Sequence, residues 1–178
     1  ACSFTVVVDD QENPQVICPV PLSQYATDPG ECNATLSFEA IAEDNCGVAD
    51  VVYSIGGNPI DFPYDFPVGS TTVNVLVTDI HGNTSACSFV VNIADQELPQ
   101  VTCPLPSNPY STDPDECMAV LSFAATSTDN CGVAGTTYWI NDDAITFPYA
   151  FAVGSTTVVA VVTDIHGNVS DCSFTVVV

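Results

Sequence analysis

The cysteines of this chain fall in one fixed phase. Cys2, Cys87 and Cys172 are spaced by 85 residues, and the same interval separates Cys18 from Cys103, Cys32 from Cys117 and Cys46 from Cys131. No insertion or deletion disturbs the phase, and about three in five aligned positions are identical. An unbroken period of this length marks tandem structural units. The units run from 9 to 93 and from 94 to 178. The opening Cys2–Val8 (CSFTVVV) repeats the piece that closes each unit, Cys87–Ile93 and Cys172–Val178. Residues 1–8 therefore read as the last strand of a preceding repeat, and the chain as a window on a longer repeating polymer.

Units this small bury a limited core and commonly need covalent staples. Nine cysteines supply them and imply an oxidising compartment. The charge balance is extreme: 22 Asp and Glu, with no Lys and no Arg. No carboxylate can pair with a basic side chain, so each must be solvated, hydrogen-bonded or bound to a cation. Nucleic-acid binding is excluded on the same ground, since neutralising phosphates takes Lys or Arg. The apolar content of 47% argues for a packed fold despite the charge. No apolar run approaches the length that spans a membrane.

Within a unit the pattern is that of short strands. Gln15–Pro19 is a brief edge strand ended by proline. Pro21, Asp28, Pro29 and Gly30 mark a loop. From Cys32 to Ala42 the residues alternate, with Leu36, Phe38 and Ala40 on one face. Asp44–Gly47 (DNCG) is a turn, Val48–Ile55 a strand, and Gly56–Pro59 a second break. Ser70–Thr78 is a strand with Val73, Val75 and Val77 inward. Asp79–Asn83 (DIHGN) is a hairpin turn, with an Asp to cap it and a Gly to accept positive φ. No stretch carries helical periodicity. The expected fold is all-β, a tandem of β-sandwiches.

Taken in order, the Cys-Pro doublet, PGEC, DNCG, FPVGSTTV, VTDIHGN and CSFVVNI resemble the hyalin repeat (HYR) family, a module of the immunoglobulin-like sandwich superfamily. The resemblance covers both units and all four cysteines of each. The second unit departs from it at Asp115, which replaces the Gly of PGEC, and at Ala152, which replaces a Pro. The resemblance implies an extracellular or cell-surface module that occurs in tandem and serves adhesion or matrix assembly. It supplies no catalytic residues.

Four cysteines per unit allow three pairings. Strand order in a sandwich selects Cys18–Cys32 and Cys46–Cys87, and in the second unit Cys103–Cys117 and Cys131–Cys172. Cys2 is left over and pairs outside the window, with the DNCG cysteine of a preceding unit. A bridge between separate chains and donation of residues 1–8 as a strand to a neighbour are the rivals. Thiolate ligation of a metal lacks the expected CxxC spacing.

The same strand order brings the start of each unit, the DNCG turn and the hairpin turn to one end. Asp10, Glu12, Asp44 and Asp79, and in the second unit Asp95, Glu97, Asp129 and Asp164, would then form cation sites at unit junctions. Ca²⁺ takes six to eight hard oxygen ligands and suits such a set; no other cofactor is expected. The competing reading is that Asp and Asn in turns serve only local hydrogen bonds. His81 and His166 read as exposed turn residues. Trp139 stands where the first unit has Ser54, as a core, interface or sugar-stacking residue. Asn33, Asn83 and Asn168 begin N-glycosylation sequons. A structural subunit of an extracellular fibre or surface appendage follows, with neighbouring copies of the repeat as partners. The alternative is an adhesin module binding glycans or proteins. No enzyme activity is expected.

Overall fold

The computed structural model describes residues 2–107 and 109–178. It divides into two compact units, one holding Cys32–Ala94 and the chain up to Asp28, the other holding Asp95–Val178 with Pro29–Glu31. Each is an all-β, immunoglobulin-like sandwich.

The first unit contains β1 (Gln15–Ile17), β2 (Tyr25–Ala26), β3 (Asn33–Leu36), β4 (Ile41–Glu43), β5 (Val48–Ile55), β6 (Asn58–Ile60), β7 (Tyr64–Pro67), β8 (Gly69–Asp79) and β9 (Thr84–Ala94). Its main sheet has the order β2-β9-β8-β5-β6, and two short ladders, β1–β4 and β3–β7, complete the sandwich. β2 joins β9 in parallel, whereas the other pairs are antiparallel. The second unit repeats this with β10 (Gln100–Thr102), β11 (Met118–Leu121), β12 (Thr126–Thr128), β13 (Val133–Ile140), β14 (Asp143–Ile145), β15 (Tyr149–Ala152), β16 (Ser155–Asp164) and β17 (Val169–Val177). Its main sheet is β14-β13-β16-β17, with ladders β10–β12 and β11–β15. The Tyr110 N–H donates to the Val177 carbonyl at 2.8 Å, where the first unit has the β2–β9 ladder.

Alternation decides the core. Val73, Val75, Val77 and Val91 point inward with no exposed surface, as the period-2 pattern requires, and Phe66 lies fully buried among them. Val158, Val162, Val176 and Phe151 repeat the arrangement. Phe38 sits at the centre of the first aromatic cluster, with Phe89 at 5.2 Å and Phe62 at 5.8 Å between ring centroids. Each such side chain contributes on the order of 1.5–3 kcal/mol by burial.

The continuous strand expected over Cys32–Ala42 is divided. Residues 33–36 pair with β7, residues 41–43 pair with β1, and 37–40 belong to no ladder. The chain changes partner there, and the Ala40 N–H donates to the Tyr53 hydroxyl at 2.8 Å. The inward alternation of Phe38 and Ala40 survives the change, because both still face the same core.

The disulfides correct the sequence expectation. Cys18 bonds Cys87 and Cys103 bonds Cys172, in place of Cys18–Cys32, Cys46–Cys87, Cys103–Cys117 and Cys131–Cys172. Cys87 shares the inward face of β9 with Phe89, Val91 and Ile93, and both Cys18 and Cys87 pack against the core. The bridge thus crosses the sandwich from the end of β1 to β9. Cys46 is exposed in its turn and carries a free thiol, as do Cys117 and Cys2. Cys32 and Cys131 are each disulfide-bonded. Residues 2–8 form no strand, and Phe4, Val6, Val7 and Val8 are exposed.

Candidate metal centre

Three pieces of backbone build the site in the first unit: the segment before β1, the turn before β5 and the hairpin between β8 and β9. The hairpin is organised by Asp79, which is 2% exposed. Its Oδ1 accepts from the His81 and Asn83 N–H groups, each at 2.8 Å, and its Oδ2 accepts from Asn83 Nδ2 at 2.7 Å. Gly82 takes φ 94°, a conformation that favours glycine. Asn83 Nδ2 also donates to the Asp10 carbonyl at 3.2 Å, tying the incoming segment to the hairpin. The Ile80 N–H donates to the Gly47 carbonyl at 3.1 Å and ties in the DNCG turn.

Asp44 closes that turn. Its Oδ1 accepts from the Cys46 and Gly47 N–H groups, each at 2.9 Å. Its Oδ2 is buried and has no hydrogen-bond partner. Asp10 Oδ1 accepts from the Glu12 N–H at 3.1 Å. Asp10 Oδ2 is also buried, and His81 Nδ1 lies 3.4 Å away. Asp10, Asp44 and Asp79 each place a carboxylate oxygen so that all lie within 4.8 Å of one another, and Asp10, Cys46 and His81 form a second such set.

The second unit reproduces the geometry. Asp164 Oδ1 accepts from His166 and Asn168 at 2.8 Å each, and its Oδ2 from Asn168 Nδ2 at 2.7 Å. Asp129 Oδ1 accepts from Cys131 and Gly132 at 3.0 and 2.9 Å, leaving Oδ2 buried and unpartnered. Asn130 Oδ1 is buried and unpartnered as well. Asp95, whose side chain is fully buried, sits 3.2 Å from His166 Nδ1 through its Oδ2. Asp95, Asp129 and Asp164 converge within 4.8 Å.

The acids of the sequence reading are therefore not equivalent. Asp10, Asp44 and Asp79 meet, as do Asp95, Asp129 and Asp164. Glu12 and Glu97 enter through their backbone N–H groups, which bond Asp10 and Asp95; their carboxylates belong to neither group. His81, His166 and the DNCG cysteines stand beside the carboxylates. The sequence carried a signal for this. Asp79 and His81, like Asp44 and Cys46, are two residues apart in tight turns that return both side chains to one side.

Electrostatics follow from these contacts. Burial pushes Asp79 up, but donation from the Asn83 side chain and from the Asn83, His81 and Gly82 N–H groups holds it below the ordinary carboxylate value. Asp164 is lowered in the same way by Asn168, His166 and Gly167. Asp10 is lowered chiefly by the Glu12 N–H, against burial. The Cys46 thiol is pushed up by its hydrogen bond to Asp10, by burial and by the charges of Asp10, Asp44 and Asp79.

The HYR domain is matched twice, at residues 9–93 and 94–178. The chain belongs to the HYR family. These HYR repeats are 32% identical to hyalin of Strongylocentrotus purpuratus over 99% of this chain and 14% of hyalin. A Sushi, von Willebrand factor type A, EGF and pentraxin domain-containing protein of Rattus norvegicus is 30% identical over 54% of this chain and 3% of its own length. The chain thus spans a small part of these relatives. Among solved structures, the fibronectin(III)-like modules of Clostridium thermocellum CbhA match at 16% identity over 93% of both chains with a TM-score of 0.41. Protocadherin gamma B2 extracellular cadherin domains match at 16% identity over 93% of this chain and 47% of that chain, TM-score 0.43. Family and disulfides together make these HYR repeats extracellular or surface-exposed.

Proposed function

We propose that this chain is a structural, non-catalytic segment of an extracellular fibre or surface appendage, with repeats at 9–93 and 94–178 each holding a Ca²⁺ ion. The observation that carries the Ca²⁺ reading is the buried, unpartnered Asp44 Oδ2 inside a three-carboxylate group, repeated at Asp129 Oδ2 in the second unit. Turn chemistry accounts for Asp44 Oδ1 and for both oxygens of Asp79, which are engaged by backbone and amide donors. It leaves Asp44 Oδ2, and Asp129 Oδ2 in the second unit, without donors. With no Lys or Arg in the chain, a cation is the natural complement. Asp10, Asp44 and Asp79 would bind it in the first unit, and Asp95, Asp129 and Asp164 in the second. Ions of this kind would stiffen each sandwich where the chain enters it, a use that suits a load-bearing module.

The test is thermal unfolding in Ca²⁺ and in chelator. Ligand at a hundredfold excess over Kd stabilises by about 2.7 kcal/mol, and for a small domain roughly 4–8 °C accompanies each kcal/mol. Melting should rise by about 10–20 °C in Ca²⁺. Asp44→Asn with Asp129→Asn keeps the Oδ1 acceptors of both turns and should abolish the rise. Equal melting temperatures with Ca²⁺ and chelator overturn the Ca²⁺ reading.

A second reading, an adhesin module, is favoured by one surface. Trp139, half-buried, has its indole N–H fixed by Thr137 Oγ1 at 3.0 Å and lines an open groove of about 430 Å³ with Asn141, Asp142, Thr157, Val159 and Val161. An aromatic wall with nearby amide, carboxylate and hydroxyl groups is chemistry that sugars use. Glycan-array binding lost in Trp139→Ala supports it, and a blank array removes it.

A further inference from the structure

The two repeats use identical cysteine positions in different states. Cys46 and Cys131 occupy one position, and Cys131 is disulfide-bonded whereas Cys46 is a free, exposed thiol. Cys32 and Cys117 occupy the other, and Cys32 is disulfide-bonded whereas Cys117 is free and exposed. The internal staple of each unit is already made by Cys18–Cys87 and Cys103–Cys172. Both positions are therefore bridge-forming in this protein, and the chain presents one unused thiol of each kind.

The backbone at each thiol is hydrogen-bonded. The Cys46 N–H is held by Asp44 Oδ1 at 2.9 Å in the turn that opens β5. The Cys117 carbonyl accepts from the Val153 N–H at 3.2 Å just before β11. The chain has no Lys or Arg to offset its 22 carboxylates. A surface this acidic associates weakly on its own, so covalent links are the economical way to hold copies together.

We propose that Cys117 of one copy of the repeat pair forms a disulfide with Cys46 of another, so that successive copies are joined head to tail. The unlike pairing follows from the tandem order. A link between two different positions reproduces itself indefinitely, whereas Cys46–Cys46 or Cys117–Cys117 links close on themselves in pairs. The chemistry balances through a small-molecule disulfide such as oxidised glutathione. One protein thiolate attacks it and expels a glutathione thiolate, leaving a mixed disulfide. The second protein thiolate attacks the protein sulfur of that mixed disulfide and expels the other glutathione thiolate. Two protein thiols are oxidised and one glutathione disulfide is reduced to two thiols. This inference stands on the cysteines alone and is independent of the Ca²⁺ reading.

The experiment uses the 178-residue chain with Cys2→Ser throughout, incubated with oxidised glutathione and resolved on non-reducing gels, with peptide mapping of the linked cysteines. The expected result is a ladder of multiples of 18.6 kDa that collapses on reduction, with a mapped Cys46–Cys117 peptide. Cys46→Ser and Cys117→Ser should each stay monomeric alone and give only a dimer when mixed. Unchanged melting of both variants shows that they fold. Recovery of Cys46 and Cys117 as alkylated thiols overturns the proposal, as do links mapped only between like positions. In native material the same mapped link with a mass drop on reduction identifies separate chains. Without a mass drop it identifies neighbouring repeats of one longer chain.

Discussion

Removing the Cys18–Cys87 bridge is the sharpest perturbation of the first unit. The bonded residues are 69 apart in sequence, and the chain-entropy relation for a loop of that length gives about 4.4 kcal/mol at 25 °C. A domain of this size has a total stability on the order of 4–13 kcal/mol, so the loss removes a large part of it. At roughly 4–8 °C per kcal/mol, the first unit should melt about 18–35 °C lower in Cys18→Ala/Cys87→Ala. The second unit keeps Cys103–Cys172, so a single calorimetric transition should split in two. Cys46→Ser is the control, since its thiol is free and exposed and its loss should move melting by no more than a few degrees. The assay is differential scanning calorimetry of the reduced-free, monomeric chain. A drop of only a few degrees in the double variant would refute the reasoning, and a drop in Cys46→Ser equal to that of the double variant would favour a Cys46–Cys87 pairing.

Three further outcomes are expected. Asp79 and Asp164 are held below the ordinary value of 3.8 in the folded state, so their stabilisation is in place above that value and is lost as pH falls below it towards the folded pKa; Asp79→Asn/Asp164→Asn should flatten the acid limb of a pH–melting curve between about pH 5 and 2. Asp10 raises the Cys46 thiol by hydrogen bonding, so Asp10→Asn should speed iodoacetamide alkylation of Cys46 at pH 8, followed by mass spectrometry. Of the sequons, Asn33 should carry glycan in a eukaryotic secretion host and Asn83 and Asn168 should not. Asn83 Nδ2 already serves Asp79 and the Asp10 carbonyl, Asn168 Nδ2 serves Asp164 and the Asp95 carbonyl, and a glycan replaces one of those N–H groups.

The sequence by itself determined what is local and periodic. The 85-residue phase announces the repeat. Alternation at Val73, Val75 and Val77 announces the inward face of β8, because side chains of a strand point to opposite sides whatever the strand pairs with. The DIHGN and DNCG turns are legible from residues that tolerate and cap tight turns. Tertiary structure alone decided which of these pieces meet. Cys18–Cys87 depends on β1 crossing over β9, a long-range packing that leaves no mark in cysteine spacing; the one clue was Cys87 in phase with Phe89 and Val91. The division of residues 32–42 between two ladders is likewise invisible to a pattern whose inward positions never change. The acidic residues were readable as a class, but only the fold separates Asp10, Asp44 and Asp79, whose oxygens converge, from Glu12, which offers its backbone instead. It also draws His81 and Cys46 alongside them, since the meeting of two turns from distant parts of the chain is set by the sheet that carries them.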